Sequence, residues 1–236
     1  MKRIFTERSD EQEIMDDLLC SGKVVYQTLK ELDFINKWLG GNAITINGID
    51  SLLKRKNYKG PITLADLGCG SGDMLKRIAA WGEKKGMNFT LTGIDANPNI
   101  IDFAQKNSSQ ENIQYKTLNV LSDEFKNRSF DVVTATLFLH HFHNGLLVEF
   151  LKRLKKQAKI GIIINDLHRH KLAYYSIQLL TRLFSKSTMV KYDAPLSVLR
   201  AFSREDWIKI LKEAEIDSYV IRWRWAFRWQ IIIPTC

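Results

Sequence analysis

Two hydrophobic rhythms divide this chain. Up to Lys59 the apolar positions fall at helical spacing. Val24, Val25, Leu29, Leu32 and Ile35, with Thr28 among them, form one stripe; Gly40-Gly41 is a stop; Ile46, Ile49, Leu52 and Leu53 form a second stripe. Gly60-Pro61 then breaks the pattern. From Ile62 onward short apolar runs alternate with helical stretches. The runs predict strands at Ile62–Leu67, Phe89–Ile94, Ile113–Leu118, Phe130–Ala135 and Lys159–Asn165, with helices around Asp73–Lys85, Asn99–Lys106 and Leu146–Lys155. Such alternation implies right-handed βαβ units and a mostly parallel sheet with helices on both faces. Ser203, with Asp206 three residues on, reads as the cap of a helix running to Ala214. Tyr219–Arg224 and Phe227–Ile233 read as a closing antiparallel pair, which brings the expected α/β sheet to seven strands.

One stretch exceeds a minimal core. His168 to Phe202 lies between the fifth strand and the Ser203 helix, with helical character around Leu172–Phe184. A connection of that length is usually functional. The expected organisation is a helical cap over residues 1–59 and a core over 60–236, with 168–202 inserted as a helical lid.

The most informative residues are Leu64-Ala65-Asp66-Leu67-Gly68-Cys69-Gly70-Ser71-Gly72-Asp73. A strand enters a glycine-rich turn that opens a helix. Glycine lets backbone approach a ligand without a Cβ in the way, and the helix start offers free N–H groups. A dinucleotide fingerprint reads G-x-G-x-x-G; here the third glycine comes one residue early. Asp95, in Gly93-Ile94-Asp95-Ala96-Asn97-Pro98, ends the second strand, where an acid holds the ribose hydroxyls of a nucleotide-like ligand. Against these readings stand a plain strand–helix turn and a helix-capping aspartate; the two elements on successive strands outweigh both.

The runs "LADLGCGSGD", "LTGIDANPNIIDFA" and "FDVVTATLFLHHF", in that order over about residues 60–166, resemble the class I S-adenosylmethionine-dependent methyltransferases. The resemblance implies a Rossmann-like fold that takes S-adenosyl-L-methionine and releases S-adenosyl-L-homocysteine. By it, Asp66 and the loop Gly68, Cys69, Gly70 and Gly72 cradle the methionine end, and Asp95 holds the ribose with Ala96 beside it. Asn119 and Val120 meet the adenine, and Thr136 and Leu137 line the cofactor. Position 119 often carries Asp in the family; Asn keeps a carbonyl acceptor.

Methyl transfer from a sulfonium needs alignment and exclusion of water, plus a base where the acceptor is a hydroxyl. Two histidine-rich loops follow the fourth and fifth strands: Leu139-His140-His141-Phe142-His143 and Asn165-Asp166-Leu167-His168-Arg169-His170. The expected base is His141 or His168, with Asp166 orienting the imidazole and His140 in the same group. A packing role for these histidines competes evenly. Zinc on His140, His143, His168 and His170 would lack a nearby cysteine, so no metal is expected.

The acceptor is narrowed by what is missing. Thr136-Leu137-Phe138-Leu139 is not the Pro-Pro-Tyr motif of adenine-N6 and glutamine-N5 enzymes, and no acidic cluster of the divalent-metal catechol type stands out. More loosely, the N-terminal helices and "NDLHRHKLAYY" followed by "LSVLRAF" resemble bacterial small-molecule methyltransferases associated with type III polyketide synthases. That implies O-methylation of a phenolic, quinol or polyketide-type molecule, aromatic or lipid-tailed, with Phe138, Phe142, Tyr174, Tyr175, Leu179 and Leu180 as apolar lining.

Composition changes the picture little. Of 236 residues 45% are hydrophobic and 26% charged, as in ordinary globular proteins. The net charge is +9, but Lys and Arg are spread in small clusters such as Lys54-Arg55-Lys56, Lys152-Arg153 and Lys155-Lys156. A solvated surface therefore fits better than nucleic acid, and with the lipid-tailed acceptor that the looser resemblance implies the basic surface would suit contact with an anionic membrane. An RNA methyltransferase and a non-catalytic cofactor-binding scaffold stay open as alternatives. Cys20, Cys69 and Cys236 form neither a disulfide framework nor a zinc pattern. Residues 1–17 are charged, and the apolar run near Ile160–Ile164 is too short for a bilayer. A cytoplasmic protein is expected.

Overall fold

The predicted strands join one sheet. In a computed structural model describing residues 5–235, β1 (Ile62–Leu67), β2 (Phe89–Asp95), β3 (Ile113–Thr117), β4 (Phe130–Thr136), β5 (Ala158–Leu167), β6 (Val220–Arg224) and β7 (Arg228–Pro234) lie in the order β3-β2-β1-β4-β5-β7-β6. Strands β1 to β5 pair in parallel, and β7 runs antiparallel to both β5 and β6. Chain order reverses at β1, whose neighbours are β2 and β4. At such a reversal the connections leave in opposite directions and open a crevice beyond the carboxyl ends of the strands.

The helices are α1 (Lys23–Trp38), α2 (Gly41–Arg55), α3 (Asp73–Lys85), α4 (Pro98–Lys106), α5 (Asp123–Lys126), α6 (Asn144–Gln157), α7 (Lys171–Phe184), α8 (Thr188–Arg200) and α9 (Arg204–Glu213). Strand residues alternate between two cores, as a side-chain period of two requires. Val133, Ala135, Ile162 and Ile164 pack with Leu147 and Leu151 of α6 and Trp207 and Leu211 of α9. Val132 and Ile163 pack with Ile49 and Leu52 of α2 and Leu75 and Ile78 of α3. The Ser203 cap forms as expected, accepting from the Asp206 N–H while Asp206 accepts from the Ser203 N–H.

Two features depart from the sequence reading. The insertion holds two helices, not one. Helix α8 contains Pro195 and buries Met189, Val190, Asp193, Leu196, Val198 and Arg200. A helix enclosed on several sides has no single apolar stripe to betray it. Short 3-10 turns also form at Ile14–Asp16 and Leu139–His141. Val25 and Leu29 of α1 pack with Ile100 of α4 and Met189 of α8, which lays the N-terminal helix beside the glycine-rich turn. Cys236 lies outside the described residues.

Candidate active site

The glycine-rich turn leaves β1 with Gly68, Gly70 and Gly72 at φ of +65°, +52° and +74°. A Cβ at Gly68 would run into the Phe138 ring, and one at Gly72 into the Tyr115 ring. The Cys69 N–H donates to Ile94 O at 3.1 Å, and the Gly72 N–H to Cys69 O at 2.9 Å before α3 begins. Asp95 ties β2 to this turn: its carboxylate accepts from the Gly70 N–H at 3.2 Å and from the Asn97 N–H at 3.0 Å. Burial raises the Asp95 carboxyl, and those N–H groups oppose the rise. Asp66, 2% exposed, accepts from the Thr134 hydroxyl at 2.6 Å. Burial pushes it up to about 7, with the Thr134 bond opposing. Burial also raises the Cys69 thiol well above its usual range, which keeps it un-ionised.

The remaining expected cofactor residues stand at the same end of the sheet. Ala96 is half-buried ahead of Asn97, the cap of α4. Asn119 is exposed, its Oδ1 accepting from the Leu121 N–H, and Val120 is buried. Thr136 pairs hydroxyls with Thr45 of α2 at 2.9 Å. Leu137 sits at φ +52° and donates its N–H to Asn165 O at 2.8 Å.

The histidine loops meet through Asp166 and His140, and His141 and His168 take other partners. Asp166, fully buried, engages His140: the pair meets at 2.7 Å through Nδ1, and the N–H groups of Leu139 and His140 donate to the other carboxylate oxygen. Burial raises the Asp166 carboxyl, but the His140 charge and hydrogen bond and the Leu167 N–H outweigh it and hold it low. His141 takes a partner that sequence reasoning missed, Asp16, at 2.5 Å through Nδ1. Arg200 of α8 donates to the other Asp16 oxygen at 2.5 Å and to His141 O at 2.9 Å. Burial opposes ionisation of Asp16, and His141 and Arg200 override it, so Asp16 is held well below the carboxylate range. The 3-10 turn carrying Asp16 is anchored by Asp193 of α8, which accepts from the Ile14 and Met15 N–H groups.

His168 goes elsewhere. Its ring packs against Trp229 at 4.8 Å and His170 at 5.4 Å. Burial, with His170 and Arg169, pushes it down to about 4. The apolar lining expected from six residues also disperses. Phe142 packs edge-on to Phe138 and beside Phe150, Tyr174 and Tyr175 meet Phe5, and Leu179 and Leu180 are exposed.

The four histidines weighed for zinc are likewise spread, with His143 exposed and paired to Asp10. A different set has metal-like spacing: Glu13, His140 and His141 offer atoms within 4.8 Å of one another. The Arg200 guanidinium, 3.7 Å from Glu13 Oε1, already supplies a positive charge there. Burial pushes the Glu13 carboxyl up to about 7 against the pull of His141 and Arg200. A cavity of about 380 Å³ opens beside this cluster, between Arg8, His140, His141 and Arg200. Glu13 and Asp16 lie in a polar N-terminal run, and Arg200 in a helix without a stripe. Nothing local marks them as site residues.

Comparison with known proteins bears on this arrangement. The chain is 31% identical over 143 residues to a 2-phytyl-1,4-naphtoquinone methyltransferase of Nostoc sp., covering 58% of this chain and 60% of that protein. It is 26% identical over 172 residues to a mitochondrial ubiquinone biosynthesis O-methyltransferase of Dictyostelium discoideum, covering 67% and 48%. It thus spans about half to three-fifths of the length of these relatives. The crystal structure of the plantazolicin methyltransferase BpumL with a monoazolic desmethylPZN analog and SAH superposes with a TM-score of 0.63 at 15% identity, covering 90% of this chain and 89% of that one. Among the described residues no helix is long and apolar enough to cross a membrane. Residues 64–161, which run from β1 into β5 and include the glycine-rich turn and Asp95, match the family model described as a methyltransferase domain.

Proposed function

We propose that the chain is an S-adenosylmethionine-dependent methyltransferase acting on an oxygen of a phenolic or quinol small molecule. The observation that carries this is the meeting of the two half-sites at Phe138. Its ring stands over Gly68 and lies 6.4 Å from the His141 ring. His141 is also near enough to Asp95 for its charge to lower that carboxyl. A proton acceptor thus adjoins the glycine-rich loop.

The residues fit the cofactor. The loop at the start of α3 suits its methionine end, with Asp66 able to ionise beside the ammonium. The Asp95 carboxylate suits a vicinal diol, and the exposed Asn119 amide, next to Val120, the adenine. Thr136 and Leu137 form the wall at β4. The cofactor, when bound, supplies a methyl group already activated on a sulfonium.

The rest is positioning and proton handling. Asp16, held ionised, accepts from His141 Nδ1–H and so fixes the tautomer whose Nε2 is free to take a hydroxyl proton. Arg200 fixes Asp16, while Asp166 locks His140 and with it the turn that presents His141. Residues 5–59 and the insertion 168–202 act as the lid that excludes water. The names of the relatives favour a quinol-like acceptor with a lipid tail. Such an acceptor is met at an anionic membrane surface on the cytoplasmic side.

The test is incubation of the purified chain with methyl-labelled cofactor and separate panels of phenols, quinols and RNA. Label is expected in an aryl methyl ether. Label in RNA, with every phenol and quinol silent, would overturn the reading.

A further inference from the structure

Three elements near the carboxyl end of the sheet expose large apolar side chains that the fold does not cover. On α7, Leu172, Tyr175, Leu179, Leu183 and Phe184 are 56–74% exposed, and the first four recur at the spacing of one helix face. On the last turns of α1, Phe34 and Trp38 are exposed with their rings stacked at 6.3 Å. In the turn joining β6 to β7, Trp225 is 75% exposed. These elements are neighbours. Glu31 of α1 accepts from the Ser185 hydroxyl and the Lys186 N–H just past α7. Phe227 of the turn stacks on His170 just ahead of α7 at 5.1 Å. Arg228 donates to Asn36 of α1 at 2.6 Å.

Charge discriminates among occupants. From Lys171 to Tyr192 there is no acidic residue, while Lys171, Arg182, Lys186 and Lys191 are all exposed. The β6–β7 side adds the exposed Arg222. The acids of α1 are already engaged, Glu31 as above and Asp33 by Arg77 at 3.1 Å. A second copy of the chain would set one cationic rim against another. An anionic lipid surface meets both demands at once: acyl chains take the Leu and aromatic stripe, and headgroups take the cations.

We propose that this face docks the protein on an anionic phospholipid bilayer, with α7 lying in the headgroup plane and Trp38 and Trp225 at interfacial depth. The surface argument stands on α1, α7 and the β6–β7 turn. Its purpose rests on the reading of a lipid-tailed acceptor, since α7 begins four residues after Leu167, the end of the strand that carries Asp166.

The experiment is co-sedimentation of the full chain, without cofactor or acceptor, with vesicles of phosphatidylcholine alone or with phosphatidylglycerol added. Binding is expected to the anionic vesicles and to weaken as salt rises. Removing two surface cations in K186A/K191A should cost roughly thirtyfold in partition coefficient, and L179E/L183E should abolish binding. Both variants should keep the parent's circular dichroism spectrum and thermal melt, so that lost vesicle binding is not lost fold. Failure of the parent to methylate a short water-soluble phenol would count against the methyltransferase reading and leave the docking result standing. Equal binding to both vesicle types would overturn the proposal, as would full binding by L179E/L183E. So would a dimer that L183E dissociates in a chain that ignores vesicles.

Discussion

The two halves of the candidate site are made by different means. The half around Gly68, Gly70, Gly72 and Asp95 is built within one strand–helix–strand unit, largely from backbone held in conformations that only glycine adopts easily. The half around His141 draws on Asp16, Asp166 and Arg200, and the Arg200–Asp16 contact spans 184 positions. Backbone cradles are local in sequence and govern how tightly a ligand is held. Carboxylate–histidine pairs are tertiary products and govern where a proton goes. The comparison therefore predicts that binding and rate can be broken separately.

The largest effect belongs to the second half. His141→Ala should lower kcat by about 10²–10⁴, the usual worth of a general base, while calorimetric affinity for the cofactor stays within about twofold. A parallel loss of affinity would mean that the halves do not act separately. Asp16→Asn should lower kcat nearly as far, because a neutral amide can leave His141 in the wrong tautomer. The first half should respond in the opposite sense. Gly68→Ala puts a Cβ at φ +65° and into the Phe138 ring. Left-handed strain alone is worth roughly 1–2 kcal/mol, so cofactor affinity should fall at least about tenfold, with kcat at saturation far less affected. Titration calorimetry and initial rates on the same preparations check both.

This contrast also explains what was legible in the sequence. The sheet, the glycine-rich turn and Asp95 could be read because strand period, turn glycines and strand-end acids are local signals. The boundaries of α3 came out as expected because Gly72 and Gly86 bracket it, both left-handed. Asp166 was expected to orient His141 or His168, and its partner is the buried His140; which imidazole a carboxylate reaches depends on how the 3-10 turn at Leu139–His141 folds back. His168 looked equivalent to His141 by position after a strand, yet it packs on Trp229, supplied by a strand near the end of the chain. Glu13 and Asp16 carried no signal at all, since an acid in a charged terminal run looks like solvated surface until Asp193 and Arg200 of α8 collect it. That helix was itself hidden by Pro195 and by burial on several sides.

A last effect is thermodynamic and separates the halves once more. Burial pushes Asp66 and Glu13 up to about 7, from ordinary values of 3.8 and 4.5. A carboxyl raised in the folded state binds its proton more tightly there than in the unfolded chain. Its contribution to stability is complete below the unfolded value and is lost as pH rises through 7. Asp16 and Asp166 are depressed and act with the opposite sign at pH values near and below 4, while His168, pushed down to about 4, adds stability as pH rises toward its ordinary 6.5 and offsets part of the loss. Between pH 5 and 8 the empty protein should therefore lose roughly 2–3 kcal/mol per raised carboxyl, or about 5 °C or more in Tm each. Saturating cofactor should abolish the Asp66 share, because the ammonium beside that carboxyl favours its ionised form, and leave the Glu13 share. Glu13→Gln should remove that share. Thermal melts across that window, with and without cofactor, measure both shares. A slope that cofactor leaves whole would detach Asp66 from the methionine end, and a slope that cofactor erases entirely would join Glu13 to the cofactor half of the site.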